Sequence, residues 1–80
     1  MNKKDKLLAK INRNPGSLKF DEFRLFLKHQ GWKPDRQEGS HEIWVSPGGH
    51  VLPIQPRKGK DAKDYQVRQA LKIIEQENKD

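Results

Sequence analysis

The chain of 80 residues contains no cysteine. That absence excludes a disulfide framework, a thiolate-ligated zinc site and a thiol nucleophile, so stability has to come from packing alone. Apolar residues are also scarce, at 31% of the sequence against 35% charged. No segment approaches the roughly 18 apolar residues of a membrane span, and Met1–Lys6 lacks the apolar stretch of a secretory signal. The expected compartment is the cytoplasm, with no membrane partner. There is no carboxylate or histidine cluster at metal-ligand spacing, so neither a metal nor another cofactor is expected. So short a chain buries a limited core and builds one small domain.

What the sequence has in excess is positive charge. The formal net charge is +6 and the isoelectric point is near 9.8, which favours an anionic partner, nucleic acid being the commonest for a small domain. A merely solubilising surface charge is the plain alternative.

Lys3–Arg13 reads as a short amphipathic helix, with Leu7, Leu8 and Ile11 on one face. Asn14-Pro15-Gly16 ends it, because proline disfavours helix in the residue before it. A second helix is predicted over Phe20–His29. Its face is lined by Phe20, Phe23, Phe26 and Leu27, Asp21 and Glu22 suit its N-terminus, and Gly31 is the expected C-cap. His29 in its last turn reads as a surface residue without a function. Residues 1–18 form an N-terminal helical extension and linker, and residues 19–80 the domain proper.

Three strands follow. Trp32–Gln37 is a weak one that Pro34 confines to a sheet edge or a bulge. Residues 41–46 and 50–54 are joined by a tight turn at Ser46-Pro47-Gly48-Gly49, where proline presets the backbone and glycine supplies positive φ. Alternation sets His41, Ile43 and Val45 on one face and Glu42, Trp44 and Ser46 on the other. Both sets contain large apolar residues, so the pattern leaves the core face undecided between them. Pro53 again argues for an edge. The expected arrangement is a three-stranded antiparallel meander with helices packed on one face.

Chemistry concentrates around His41, which follows the turn-forming pair Gly39-Ser40. An imidazole titrates near neutrality and can take or give a proton, while Arg and Lys stabilise charge developing on phosphate oxygens. The cations are supplied by a basic loop, Arg57, Lys58 and Lys60, with Gly59 permitting close backbone approach. Arg36 is a further phosphate contact by this reading, or else a solvated strand arginine. A last helix is predicted over residues 64–76, with Val67, Ala70, Leu71 and Ile74 on its buried face. Its N-terminus and Arg68 adjoin the loop and extend the anion site.

In this order the Phe20–Gly31 helix ending in Gly31-Trp32, the Gly39-Ser40-His41 triplet, the Pro47-Gly48-Gly49 turn, Leu52-Pro53-Ile54, Lys58-Gly59-Lys60 and Tyr65-Gln66-Val67-Arg68-Gln69 resemble the HicA (YcfA-type) toxin family over about residues 20–76. The resemblance implies an α+β fold like the double-stranded-RNA-binding domain, α-β-β-β-α. It also implies an mRNA-cleaving endoribonuclease, an mRNA interferase of the bacterial stress response, neutralised by a HicB-type antitoxin. In the family the histidine of the Gly-Ser-His motif is the essential residue, a role that falls on His41. Two departures are the extra Lys3–Arg13 helix and the basic loop reading Gln55-Pro56-Arg57-Lys58-Gly59-Lys60 in place of a shorter His/Gly-rich one.

The expected mechanism is metal-independent cleavage of single-stranded or loosely structured mRNA. His41 acts as base or acid, Arg36, Arg57, Lys58, Lys60 and Arg68 contact the RNA, and Ser40 orients the phosphate. One histidine cannot be both base and acid in the same step. A second group is therefore called for, or a second copy of the chain in a homodimer. The rival readings are a non-catalytic RNA-binding module of the same fold and a protein-interaction domain that keeps only its partner surface.

Overall fold

The computed structural model describes residues 3–57 and 59–78. Their order is α1 (Lys3–Arg13), a single 3-10 turn at Pro15–Ser17, α2 (Phe20–His29), β1 (Lys33–Glu38), β2 (His41–Val45), β3 (Val51–Ile54) and α3 (Asp64–Glu77). This is an α+β fold in the α-β-β-β-α order, preceded by the extra helix. Every expected element is present, the last helix one residue longer and the first strand shifted one residue along.

The strands form an antiparallel sheet in the order β1-β2-β3. Pro34 and Pro53 therefore both lie on edge strands. The β1–β2 register shifts between Pro34 and Arg36, a bulge beside the proline that cannot donate to a ladder. On the opposite edge Pro53 has no N–H, and the N–H of Gln55 is taken by the Gln66 side chain at 3.1 Å. Both edges are thus poor templates for another strand.

The choice of sheet face, open in the sequence, is resolved by burial. Trp44 (1% exposed), Leu52 and Ile54 join Phe20, Phe23, Phe26 and Leu27 of α2, Val67 and Ala70 of α3, and Trp32 in one core. His41 lies on the other face, exposed. Ile43 on that face is nonetheless buried, flanked in the ladder by Arg36 and Pro53. The indole N–H of Trp44 is satisfied by Glu42 Oε1 at 3.1 Å, and the other Glu42 oxygen accepts from Arg24 of α2 at 3.2 Å. Burying each of Phe23 and Phe26 contributes about 1.5–3 kcal/mol.

Helix α1 belongs to this core. Leu7 and Ile11 are buried within it, as is Leu18 of the linker, while Leu8 stays on the surface. Lys10 Nζ adds an ion pair to Glu22 at 2.9 Å, and the same carboxylate accepts the backbone N–H of Lys19 at the start of α2. Burial pushes the Glu22 carboxyl up, but Lys10 and the Lys19 N–H outweigh it and hold it below the ordinary carboxylate range.

Helix α2 ends as its glycine predicts. Gly31 has φ +87°, its N–H reaches Lys28 O at 3.0 Å, and the Trp32 N–H reaches Leu27 O at 2.9 Å, the paired bonds of a Schellman motif. His29 differs from the surface residue expected of it. It is half-buried, and its Nδ1, like the Trp32 indole nitrogen, is enclosed without a hydrogen-bond partner among the described residues.

Candidate active site

Glu38 and His41 are paired across the β1–β2 hairpin, leaving Gly39 and Ser40 as a two-residue turn. Gly39 has φ +61°, the value a type II′ turn requires of its first central residue. A Cβ there would meet nothing within 4 Å, so glycine is needed for conformation and not for space. His41 is the first residue of β2, on the open face of the sheet. Among the described residues no side chain or backbone group hydrogen-bonds its imidazole, leaving both ring nitrogens to solvent or a ligand.

The turn is connected to the rest of the predicted site through two glutamines. Ser40 Oγ lies 3.5 Å from Gln55 Oε1, and Gln55 donates its N–H to the Oε1 of Gln66, which is 4% exposed in the first turn of α3. The start of α3 carries no side-chain cap. Asp64 there holds two guanidiniums, Arg57 at 2.8 Å and Arg68 at 3.9 Å. One carboxylate against two arginines leaves this end of the molecule cationic.

The basic loop is held closed by backbone bonds. Arg57 N–H donates to Asp61 O at 2.8 Å, Phe20 N–H to Lys60 O at 2.8 Å, and Ala62 N–H to Leu18 O at 2.9 Å. Gly59 makes the reversal at φ +102°. Lys60 is exposed and forms no ion pair with the described residues, whereas Lys19 is paired with Asp61 at 3.1 Å. Lys58, the remaining loop cation of the sequence reading, lies outside the described residues.

Ser40 is thus linked through Gln55 to Gln66 in the first turn of α3, where Asp64 holds Arg57 and Arg68, with His41 next to Ser40 and Lys60 in the loop of Arg57. Arg36 stands apart from this chain of contacts. It shares the open sheet face with His41, but its guanidinium is engaged by Asp35 at 2.5 Å and by Glu38 at 3.5 Å. The bond to Asp35, followed by the charge of Glu38, raises its pKa further above the ordinary arginine value. Gln55, Gln66 and Asp64 were not singled out by the sequence reading. Asp64 carried a signal, four residues ahead of Arg68 on a helix; the glutamines carried none.

The second tight turn, between β2 and β3, is built differently. Glu77 in the last turn of α3 accepts from the Ser46 hydroxyl, from the Gly48 N–H at 3.1 Å and from His50 Nδ1 at 2.5 Å. Ser46 Oγ in turn accepts the His50 N–H at 2.9 Å. The Ser46 hydroxyl is the main reason that the Glu77 carboxyl sits below its ordinary range, outweighing the opposing effect of burial, and the bonds from His50 and Gly48 lower it further. The two histidines lie at opposite ends of β2, roughly 16 Å apart at the rise of a strand, too far to share one phosphodiester.

Among the described residues, no three His, Asp or Glu side chains gather as a metal site, and no helix is long and apolar enough to cross a membrane. The unpartnered imidazole, the serine turn and the guanidinium pair together offer proton transfer and anion binding at one end of the sheet. No curated protein and no solved structure matches the chain significantly. A family model does, that of the HicA toxin of bacterial toxin–antitoxin systems, over residues 20–76, the stretch from the start of α2 to the penultimate residue of α3. With that match covering most of its length, the chain belongs to the HicA toxin family.

Proposed function

We propose that this toxin is an endoribonuclease that cleaves mRNA without a metal ion, with His41 as its acid–base group. The observation that carries the reading is an exposed imidazole with no partner among the described residues, next to a turn whose serine is linked to a cationic helix start. His41 takes the proton from a ribose 2′-hydroxyl as that oxygen attacks the adjacent phosphorus, or donates one to the departing 5′-oxygen. Water supplies the complementary transfer. Arg57, Lys60 and Arg68 stabilise the extra negative charge on the phosphorane, and Ser40 orients the phosphate. A HicB-type antitoxin neutralises the toxin by covering this end.

The test is growth arrest and RNA integrity after induced expression in a bacterial host, native chain against His41→Ala. The native protein is expected to stop growth and fragment mRNA, and the variant, equally folded, to do neither. If both bind RNA and neither degrades it, the chain is a binding module. Loss of purified activity on adding a chelator would refute the metal-independent step.

A further inference from the structure

Of the six aromatic residues of the sequence, five are in the core, each at most 7% exposed. The sixth, Tyr65, is 58% exposed, although tyrosine in so small a domain is a natural core residue. It occupies the second position of α3, between Asp64, which holds Arg57 and Arg68, and Gln66, which holds Gln55. The Lys63 ammonium stands 5.9 Å from its ring centroid. Its hydroxyl makes no hydrogen bond with the described residues. The exposed positions further along the helix on the same side are Arg68, Gln69 and Lys72, at the three-, four- and seven-residue spacings that continue one face.

We propose that Tyr65 is a base-stacking platform, taking one unpaired nucleobase of the RNA next to the scissile phosphodiester. The proposal rests on the ribonuclease reading and names the form of its substrate. A ring with a free face among cations is what sequence-tolerant binding of single strands uses. The cations follow the backbone, and any base supplies a π-face for the ring. A duplex keeps its bases stacked on one another and offers the ring nothing, so Tyr65 selects unpaired RNA over A-form helix. Arg68 and Lys72 then follow the strand along α3.

The test uses a short single-stranded 2′-O-methyl oligoribonucleotide carrying 2-aminopurine. It lacks the attacking hydroxyl, so binding is read without cleavage. Native protein and Tyr65→Phe are expected to quench the 2-aminopurine and to bind within about twofold of each other, the surface change being small. Tyr65→Ala is expected to lose the quenching and to bind roughly 5- to 150-fold more weakly, the range for one stacked base. Its salt dependence should be unchanged, because no phosphate contact is removed. Equal affinity and equal quenching for native and Tyr65→Ala would overturn the proposal and leave the ring to a protein partner. Tighter native binding to the corresponding duplex than to the single strand would overturn it as well, with the ribonuclease reading intact. If the native chain binds neither oligonucleotide and cleaves no RNA, both readings fall together.

Discussion

The two ends of β2 carry the same parts list: a glycine-bearing turn, a serine, a histidine and the nearby end of α3. They are assembled in opposite ways. At the far end the turn is gripped, with Glu77 binding Ser46, Gly48 and His50 at once. At the near end Gly39-Ser40 closes a minimal hairpin, and His41 is exposed without a hydrogen-bond partner among the described residues. The difference separates structure from chemistry. An imidazole committed to a carboxylate ties the last turn of a helix to the sheet, whereas one with both nitrogens open is available to a substrate. The carboxylates at the near end neutralise arginines, Asp64 holding Arg57 and Arg68 and Glu38 holding Arg36, and neither bonds the histidine.

The sharpest way to break this comparison is to remove Glu77. Glu77→Ala is expected to lower the melting temperature by several degrees and to abolish amide-exchange protection in the last turn of α3. RNA binding should be unaffected. Gly48→Ala should act in the same direction, because its Cβ would fall 2.6 Å from the Glu77 carboxylate. Gly39→Ala meets no atom within 4 Å but must hold φ +61°, so about 1 kcal/mol of strain is expected there. Thermal unfolding of the glycine variants measures both.

Ser46→Ala acts on the same grip by removing one charge-assisted donor. About 1 kcal/mol is expected, or roughly 4–8 °C in melting temperature. Acidification tests the same grip. The Glu77 carboxyl is lowered in the folded state, so its contribution is fully present above the ordinary value of 4.5 and is lost as the pH falls through the lowered folded value. Glu22 titrates with the same sign at the α1–α2 contact. Exchange protection at the end of α3 should therefore decline below about pH 4.5, while a Glu77→Gln chain shows little further loss there.

At the near end Lys60→Ala and Arg68→Ala are expected to leave thermal unfolding unchanged within about 0.5 kcal/mol. Each should reduce the slope of log affinity against log salt by about 0.7 for a single strand. A variant that changed the melting temperature and not the slope would move its residue to the structural class.

Much of this architecture was legible in the sequence because it rests on local rules. The phenylalanine spacing of α2, the glycine after it, the two prolines and the Gly-Ser and Pro-Gly-Gly turns fixed the elements within a residue or two. The choice of sheet face was not legible, since Ile43 and Val45 on one side rival Trp44 on the other. It is decided by α2 and α3, which together cover Trp44, and that is a tertiary fact. The packing of Leu7 and Ile11 into the common core was equally hidden, as an amphipathic helix does not say what it packs against. In the candidate site, His41, Arg57 and Arg68 were singled out by chemical type alone. The links through Gln55 and Gln66, and the grip of Glu77 on residues some thirty positions away, depend on contacts that no local pattern encodes.

The central claim, that one histidine works and the other holds, is tested most directly by a crossed pair of substitutions, His41→Ala and His50→Ala. Cleavage of an unpaired RNA and thermal unfolding would be measured on both proteins. His41→Ala is expected to lose about 10²–10⁴-fold in cleavage rate with its melting temperature unchanged. His50→Ala should cleave at the native rate and unfold at a lower temperature. A His41→Ala chain that still cleaves, or a His50→Ala chain that is fully stable and inactive, would contradict the assignment of the two ends.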